Sequence, residues 1–316
     1  MKLSNDTVSE FLKENSALSL SALEKEANLS TGLLSKVLKG ERALNDSHLD
    51  KIGPVLLKYG YRETADGQEA KVIAMVNHKG GVGKTTTTAN LGKALSMLGK
   101  RVLMVDMDPQ GNLSQCFGID EPTVQLYDAL VNGDELPLEE IGDGLYISPS
   151  DVDLSLADVE LHQRPDGYLR LRKVLEKHIT NFDYILLDCP PSLGILTSNA
   201  LIASDSFVLI IQPETLAIKG LNTILKTVDQ IKDGLNEKLD LEGILFTLVD
   251  KRTINHQTIM NHVKESFPYF RTFETVIRNN MALSEATMLS QDIFTYAPKS
   301  NGAVDYMAVC NELTHE

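Results

Sequence analysis

Two hydrophobic rhythms divide the chain. Through residues 1–60 the apolar positions recur at helical spacing, and no strand-like run interrupts them. From residue 71 onward, short continuous runs rich in β-branched residues take over: KVIAMVN, RVLMVD, LYIS, YILLD, FVLIIQ, GILFTLV and ETVI. Runs without polar alternation suit strands buried on both faces, as in a parallel sheet. Longer amphipathic stretches at 84–98, 167–179, 194–203 and 217–233 lie between them and supply crossover helices. The alternation predicts an α/β class, a doubly wound and mostly parallel sheet, preceded by a small all-α domain. The polar segment YRETADGQEA separates the two, which sets the expected organisation as 1–62, a linker at 63–70, and 71–316. There is no internal repeat and no low-complexity tract.

Composition narrows the classes. A length of 316 residues accommodates one large and one small domain, and 42% hydrophobic with 23% charged residues is ordinary for a folded chain. The net charge of −14 excludes a wholly basic nucleic-acid coat protein, although a local basic patch still permits phosphate contact. The three cysteines, Cys116, Cys189 and Cys310, form no CxxC pair, so neither a disulfide framework nor a zinc or iron–sulfur site is expected. The N-terminal MKLSNDTVSEF has no apolar core of a secretory signal, and the longest apolar runs are far below the ~20 residues that span a bilayer. A cytoplasmic protein without a membrane partner is expected.

In the first domain, LSLSALEKEANLSTGLLSKVLKGERAL carries its own punctuation. Ser21 and Glu24 have capping-box spacing, Leu20, Leu23 and Ala27 share a face, and Asn28 stands where a tight turn would come. Ser30 is placed to cap a second helix that buries Leu33, Leu34, Val37 and Leu38 and ends at Gly40. Two short helices joined this way form a helix-turn-helix. The outward set of the second helix includes Thr31, Lys36 and Lys39, small, polar or basic as a helix in a DNA major groove requires. The segment 17–60 resembles the Cro/repressor type of helix-turn-helix. A helical hairpin used for dimerisation or docking fits the same pattern.

The second domain opens with a strand, then HKGGVGKTTTT, then a helix. Gly80, Gly81 and Gly83 allow successive backbone N–H groups, that of Val82 included, to close around phosphate oxygens. The helix start adds its positive end. Lys84 is placed to reach the β- and γ-phosphates, Thr85 to offer Mg²⁺ a hydroxyl, and Thr86 to flank the loop. Two further strands end in carboxylates, Asp106 and Asp108 in VDMDPQG and Asp188 in YILLDCPPS. Carboxylates at neighbouring parallel strand ends converge on the crevice above a sheet, where they hold Mg²⁺ or orient water.

KGGVGKTTTTANLG, VDMDPQGN, DCPPSLG and LSEA together resemble the ParA/Soj family of deviant Walker-A ATPases, over about residues 71–310. The strict phosphate-loop pattern asks for glycine at position 78, where this chain has His78; the family's K-G-G-x-G-K-[ST] is complete at 79–85. The resemblance implies ATP with Mg²⁺, and an ATP-sandwich homodimer in which Lys79 touches the partner's nucleotide. It also implies water orientation by Asp108, a magnesium role for Asp106, and a Walker-B role for Asp188. It implies non-specific binding of double-stranded DNA by the dimer, with Arg252, Arg278 and the neighbouring Lys251 as contacts, nucleoid association, and hydrolysis stimulated by a ParB-like centromere-binding protein. An arginine usual after the asparagine in NNMALSEA is missing, with Met281 and Ala282 standing there. The first domain adds the expectation of autorepression. Two alternatives remain open: a positioning ATPase for a protein cargo, and an ATP-responsive transcriptional regulator. A membrane-cycling relative needs a basic amphipathic C-terminal helix, whereas this chain ends AVCNELTHE.

Overall fold

The computed structural model describes residues 3–15, 18–59 and 69–315, and the chain forms two compact units, Met1–Gln68 and Glu69–Glu316. Most of the expected linker, 63–68, lies outside the described residues.

The first unit holds α1 (Asn5–Glu14), α2 (Leu20–Glu26), α3 (Leu33–Leu38) and α4 (Asp46–Lys58) around Val8, Leu12, Leu23, Leu34, Ile52 and Leu56. Leu20 and Leu38, expected inside, are only partly buried. The capping differs from expectation. Ser19, not Ser21, caps α2, its hydroxyl accepting from the Ala22 amide at 3.4 Å. Glu24 does not turn back on its own helix. It is buried across the turn and accepts the backbone N–H groups of Gly32 at 2.8 Å and Leu34 at 2.7 Å. Ser30 therefore leaves its capping place, and Gly32, at φ 80°, occupies the cap of α3 without a side-chain bond. The physical reason is stoichiometric. One carboxylate satisfies two orphan amides and meets the positive helix end, where a hydroxyl accepts fewer bonds and carries no charge. Asn28 does make the turn, at φ 51°.

The second unit runs β1 (Lys71–Val76), α5 (Lys84–Met97), β2 (Val102–Asp106), α6 (Asn112–Gln115), β3 (Glu139–Gly142), β4 (Leu145–Ser148) and α7 (Leu154–His162), then α8 (Arg170–Leu175), β5 (Tyr184–Asp188), α9 (Ile195–Ala203), β6 (Ser206–Ile211), α10 (Ala217–Gly234), β7 (Asp240–Phe246), α11 (Ile254–Ser266), α12 (Met281–Met288), α13 (Ile293–Tyr296) and α14 (Asn301–Thr314). The sheet order is β3-β4-β2-β5-β1-β6-β7, parallel except for the antiparallel β3–β4 pair. Alternate residues of one strand feed two cores: Val72, Ala74, Ile185 and Leu187 on one face, Ile73, Met75, Leu186 and Met104 on the other. That double burial is why the runs are continuous. On the second face α5 lies close to the sheet, because a Cβ on Gly92 would sit 2.5 Å from the Met104 sulfur.

One strand was not expected, and two expectations are corrected. The edge strand β3, EEIG, has no apolar run because neither of its faces is buried. ETVI is not a strand; its neighbourhood meets the sheet edge through the isolated bridges Ile244–Thr272 and Val249–Arg278 and the Ile277 amide, which donates to the Phe246 carbonyl at 2.8 Å. The stretch 167–179 begins as a 3₁₀ turn, Gly167–Leu169, and α8 covers only Arg170–Leu175.

Candidate nucleotide site

The loop after β1 is anchored at its front. Asn77 donates its side-chain amide to the Ile210 carbonyl at 2.6 Å and accepts the Lys79 backbone N–H at 2.9 Å. Behind it the chain needs left-handed backbone at Gly81 (φ 74°) and Gly83 (φ 92°), which L side chains resist. Gly83 is the cap of α5 and makes no side-chain cap bond, so the helix start presents bare amides to the crevice. Val82 packs its side chain into the core, and its carbonyl accepts the Thr247 hydroxyl at 2.6 Å. Gly80 and Lys79 are exposed, and Thr85 and Thr86 are half-buried.

Lys84 is buried to 6% exposure and curls over the loop, its ammonium donating to the Lys79 carbonyl at 3.3 Å. Burial pulls its pKa down, and the charge of Asp188 opposes that pull. An ammonium held this way is an anion site waiting for charge.

The carboxylates come together because β5 inserts between β1 and β2. Asp106 and Asp188 are register partners, both fully buried. Burial raises both above the ordinary carboxylate range, and the charge of Asp108 adds to this at Asp106 and that of Asp106 at Asp188. Their surroundings differ. Asp106 is saturated, accepting from the Asp108 amide at 3.2 Å and from the Ser114 amide and hydroxyl at 2.9 and 2.7 Å. Asp188 accepts the Thr88 hydroxyl at 3.4 Å on Oδ1, and its buried Oδ2 has no hydrogen-bond partner. An orphaned buried carboxylate oxygen is what a cation site leaves behind, so the residues fit magnesium with Asp188 toward the metal and Asp106 as the brace of the loop. No group of three or more His, Cys, Asp or Glu side chains gathers for a metal among the described residues; Mg²⁺ characteristically takes one or two carboxylates plus phosphate and water. Asp108, at 7% exposure, accepts the Gln110 amide at 3.0 Å, and its carbonyl accepts the Ser150 hydroxyl at 2.9 Å.

The sequence reading missed a pocket. A cavity of about 280 Å³ lies against the loop, lined by Gly83, Thr86, Thr247, Leu248, Asn280 and Tyr306. It is mostly apolar, with Leu248 held at φ 53°, and its place beside the phosphate loop suits a nucleoside. No motif announced it, because its walls come from four distant segments.

The comparisons with known proteins agree with this geometry. A family model described as an AAA domain matches residues 70–241. The sporulation initiation inhibitor protein Soj of Bacillus subtilis is 43% identical over 250 residues, covering 77% of this chain and 98% of Soj. The chain belongs to the ParA/Soj family of P-loop ATPases. Another family member, the chromosome partitioning protein ParA of Myxococcus xanthus, is 41% identical over 267 residues, covering 81% of this chain and 92% of its own. Among solved structures, a cobyrinic acid a,c-diamide synthase from Mycobacterium smegmatis with bound ADP and magnesium superposes at a TM-score of 0.69. It is 33% identical and covers 78% of this chain and 94% of its own. The same protein has been solved with an ATP analogue and magnesium. The ParA/Soj resemblance read from the motifs therefore holds for the second unit.

The remaining candidate residues lie as follows. Lys79, matched to the lysine that reaches a partner's nucleotide, here donates to Glu214 of its own chain at 2.6 Å. Both partners are about half exposed, at 48% and 46%. Arg278, matched to a DNA contact, is not a free surface cation. Asp305, 8% exposed, takes its guanidinium at 2.6–3.1 Å and its backbone amide at 3.0 Å. Arg252 is 91% exposed but forked onto Asp250 with two 3.0 Å bonds. Its pull brings the Asp250 carboxyl down to about 2. Lys251 is exposed, as are Thr31, Lys36 and Lys39 in the first unit. No helix of the described residues is long and apolar enough to cross a membrane.

Proposed function

We propose that this chain is an ATP-driven partition switch. Two copies close over ATP·Mg²⁺, the closed dimer holds DNA, and hydrolysis, stimulated by a centromere-binding partner, releases it. The observation that carries the reading is the buried Lys84 of the loop facing the carboxylates Asp188 and Asp108, with Lys79 exposed at the front of the same loop. Loop amides and Lys84 hold the phosphates, Thr85 and Asp188 face the metal, and the apolar pocket beside Gly83 takes the nucleoside. Bound magnesium neutralises phosphate charge. Asp108 orients the attacking water, and Lys79 leaves Glu214 to stabilise charge on the partner's nucleotide, as an arginine finger does.

The DNA surface is placed by charge that remains available. Arg278 is spent on Asp305 and Arg252 is half-neutralised by Asp250, so Lys251 and Arg252 carry the weaker contact. The exposed Thr31, Lys36 and Lys39 give the first unit a groove-reading face of the helix-turn-helix kind, through which the chain represses its own operon.

The test is binding of the purified chain to random-sequence duplex DNA with no nucleotide, ADP, ATP, or a slowly hydrolysed analogue, each with Mg²⁺. ATP-specific binding that persists in Asp108→Ala after wild-type protein has let go supports the switch. Binding indifferent to nucleotide and abolished by Lys36→Glu with Lys39→Glu instead makes the chain a regulator whose ATPase serves another end.

A further inference from the structure

Away from the nucleotide site, a small cavity of about 120 Å³ opens between α8 and a π-helical turn, Asp128–Asn132. Its walls include Gly133, Asp134, Arg170, Lys173, Lys177 and His178. The concentration of cations is unexpected in a chain of net charge −14. It arises from two neighbouring pieces of chain: Arg170 and Lys173 lie at i, i+3 spacing on α8, and the turn after α8 carries Lys177 and His178 alongside.

Arg170 is the fixed element. Its side chain is 16% exposed, and its Nε donates to the Leu130 carbonyl at 2.7 Å, Nη2 to that of Ala129 at 3.4 Å. Asp166 faces its Nη1 at 3.6 Å and takes the Lys173 ammonium at 2.9 Å. Gly133, at φ 84°, keeps the rim open: a Cβ there would stand 3.4 Å from the guanidinium. Asp166 and Asp134 offset part of the positive charge, yet Lys177 projects from an exposed position with no ion pair among the described residues. Burial holds the His178 ring below its ordinary pKa against the pull of Glu135, and either protonation state leaves it an N–H to donate. Single-turn π segments concentrate at functional sites. The volume is too small for a nucleoside or a drug-sized ligand, and matches about four waters, the size of one tetrahedral oxyanion.

We propose that this pocket is a second anion site, taking one phosphate group against Arg170, Lys173, Lys177 and His178. The group belongs either to free inorganic phosphate or to a small phosphomonoester. The site does not depend on the nucleotide reading.

The test is calorimetric titration of inorganic phosphate, and separately of O-phosphoserine, into the full chain. It is run twice, with the nucleotide site saturated by ADP·Mg²⁺ and in Lys84→Ala, so that binding at the phosphate loop is excluded whether or not that loop takes ADP. One saturable site is expected in both. Lys177→Gln, an exposed change that leaves the fold intact, should weaken it on the order of tenfold, the worth of one charge-assisted hydrogen bond. Lys173→Gln with Lys177→Gln should abolish it. Equal affinity for both ligands assigns free phosphate, and preference for phosphoserine assigns the monoester. No saturable binding, binding unchanged in the double variant, or an equal response to chloride at matched ionic strength overturns the proposal.

Discussion

Replacing Arg278 by alanine separates a structural arginine from a DNA-contacting one. The Arg278 side chain is 31% exposed and Asp305 only 8%, and the guanidinium reaches both carboxylate oxygens. Removing one partner of a buried pair costs about 3–5 kcal/mol, because the other charge is left stranded. Two features discount that here: the arginine is partly solvated, and the backbone amide of residue 278 still donates to Asp305 at 3.0 Å. A loss of roughly 2–3 kcal/mol is expected, which for a unit of this size lowers the midpoint by roughly 5–10 °C. Thermal unfolding followed by circular dichroism measures it. Arg252→Ala serves as the control, since its solvent-exposed pair is screened and should leave the midpoint nearly unchanged. Arg278→Ala with Asp305→Ala should recover part of the loss, as coupled partners do. If Arg278→Ala melts within 2 °C of wild type while DNA affinity falls several-fold, the pair is incidental and Arg278 is a DNA contact after all.

Three more perturbations follow. Glu214→Gln frees Lys79; the half-exposed pair is worth at most about 1 kcal/mol, so the ATP-bound dimer should tighten by up to about five-fold in sedimentation equilibrium, and a weaker dimer refutes the release of Lys79 from Glu214. Burial raises Asp106 to about 7 and Asp188 to about 8, so each is ionised in the unfolded chain before it is in the fold, and the nucleotide-free protein loses stability as pH climbs from about 4 through those values. Asp188→Asn should therefore melt above wild type at pH 8.5, with the gap closing towards pH 5, and a pH-independent gap removes ionisation as the cause. Glu24→Ala strands the amides of Gly32 and Leu34, at about 1–3 kcal/mol for each buried group, and hydrogen exchange at Leu34 should accelerate at least tenfold while Lys71–Val76 is unchanged.

Much of this protein was legible along the chain because the signals were local. Doubly buried strands must be continuous apolar runs, so β1, β2, β5 and β6 announced themselves. A phosphate loop needs its glycines and lysine adjacent in sequence, so residues 79–85 stood out before any fold was known. What stayed hidden depended on neighbours distant in the chain. Nothing in EEIG marks β3, because this edge strand buries neither face and keeps no pattern. Glu24 had the spacing of a box on its own helix, but the turn brought two unsatisfied amides closer to it. The matching that made Arg278 a DNA contact could not see Asp305, 27 residues away, and Lys79 could not be paired with Glu214 from sequence spacing. Above all, the adjacency of Asp106 and Asp188 comes from β5 inserting between β1 and β2, a topological event. The sequence chose the chemical groups. The tertiary structure decided which of them are buried, which are neutralised, and which oxygen of Asp188 is left without a partner, because burial and pairing are properties of packed neighbours, and packing is set by the whole fold at once.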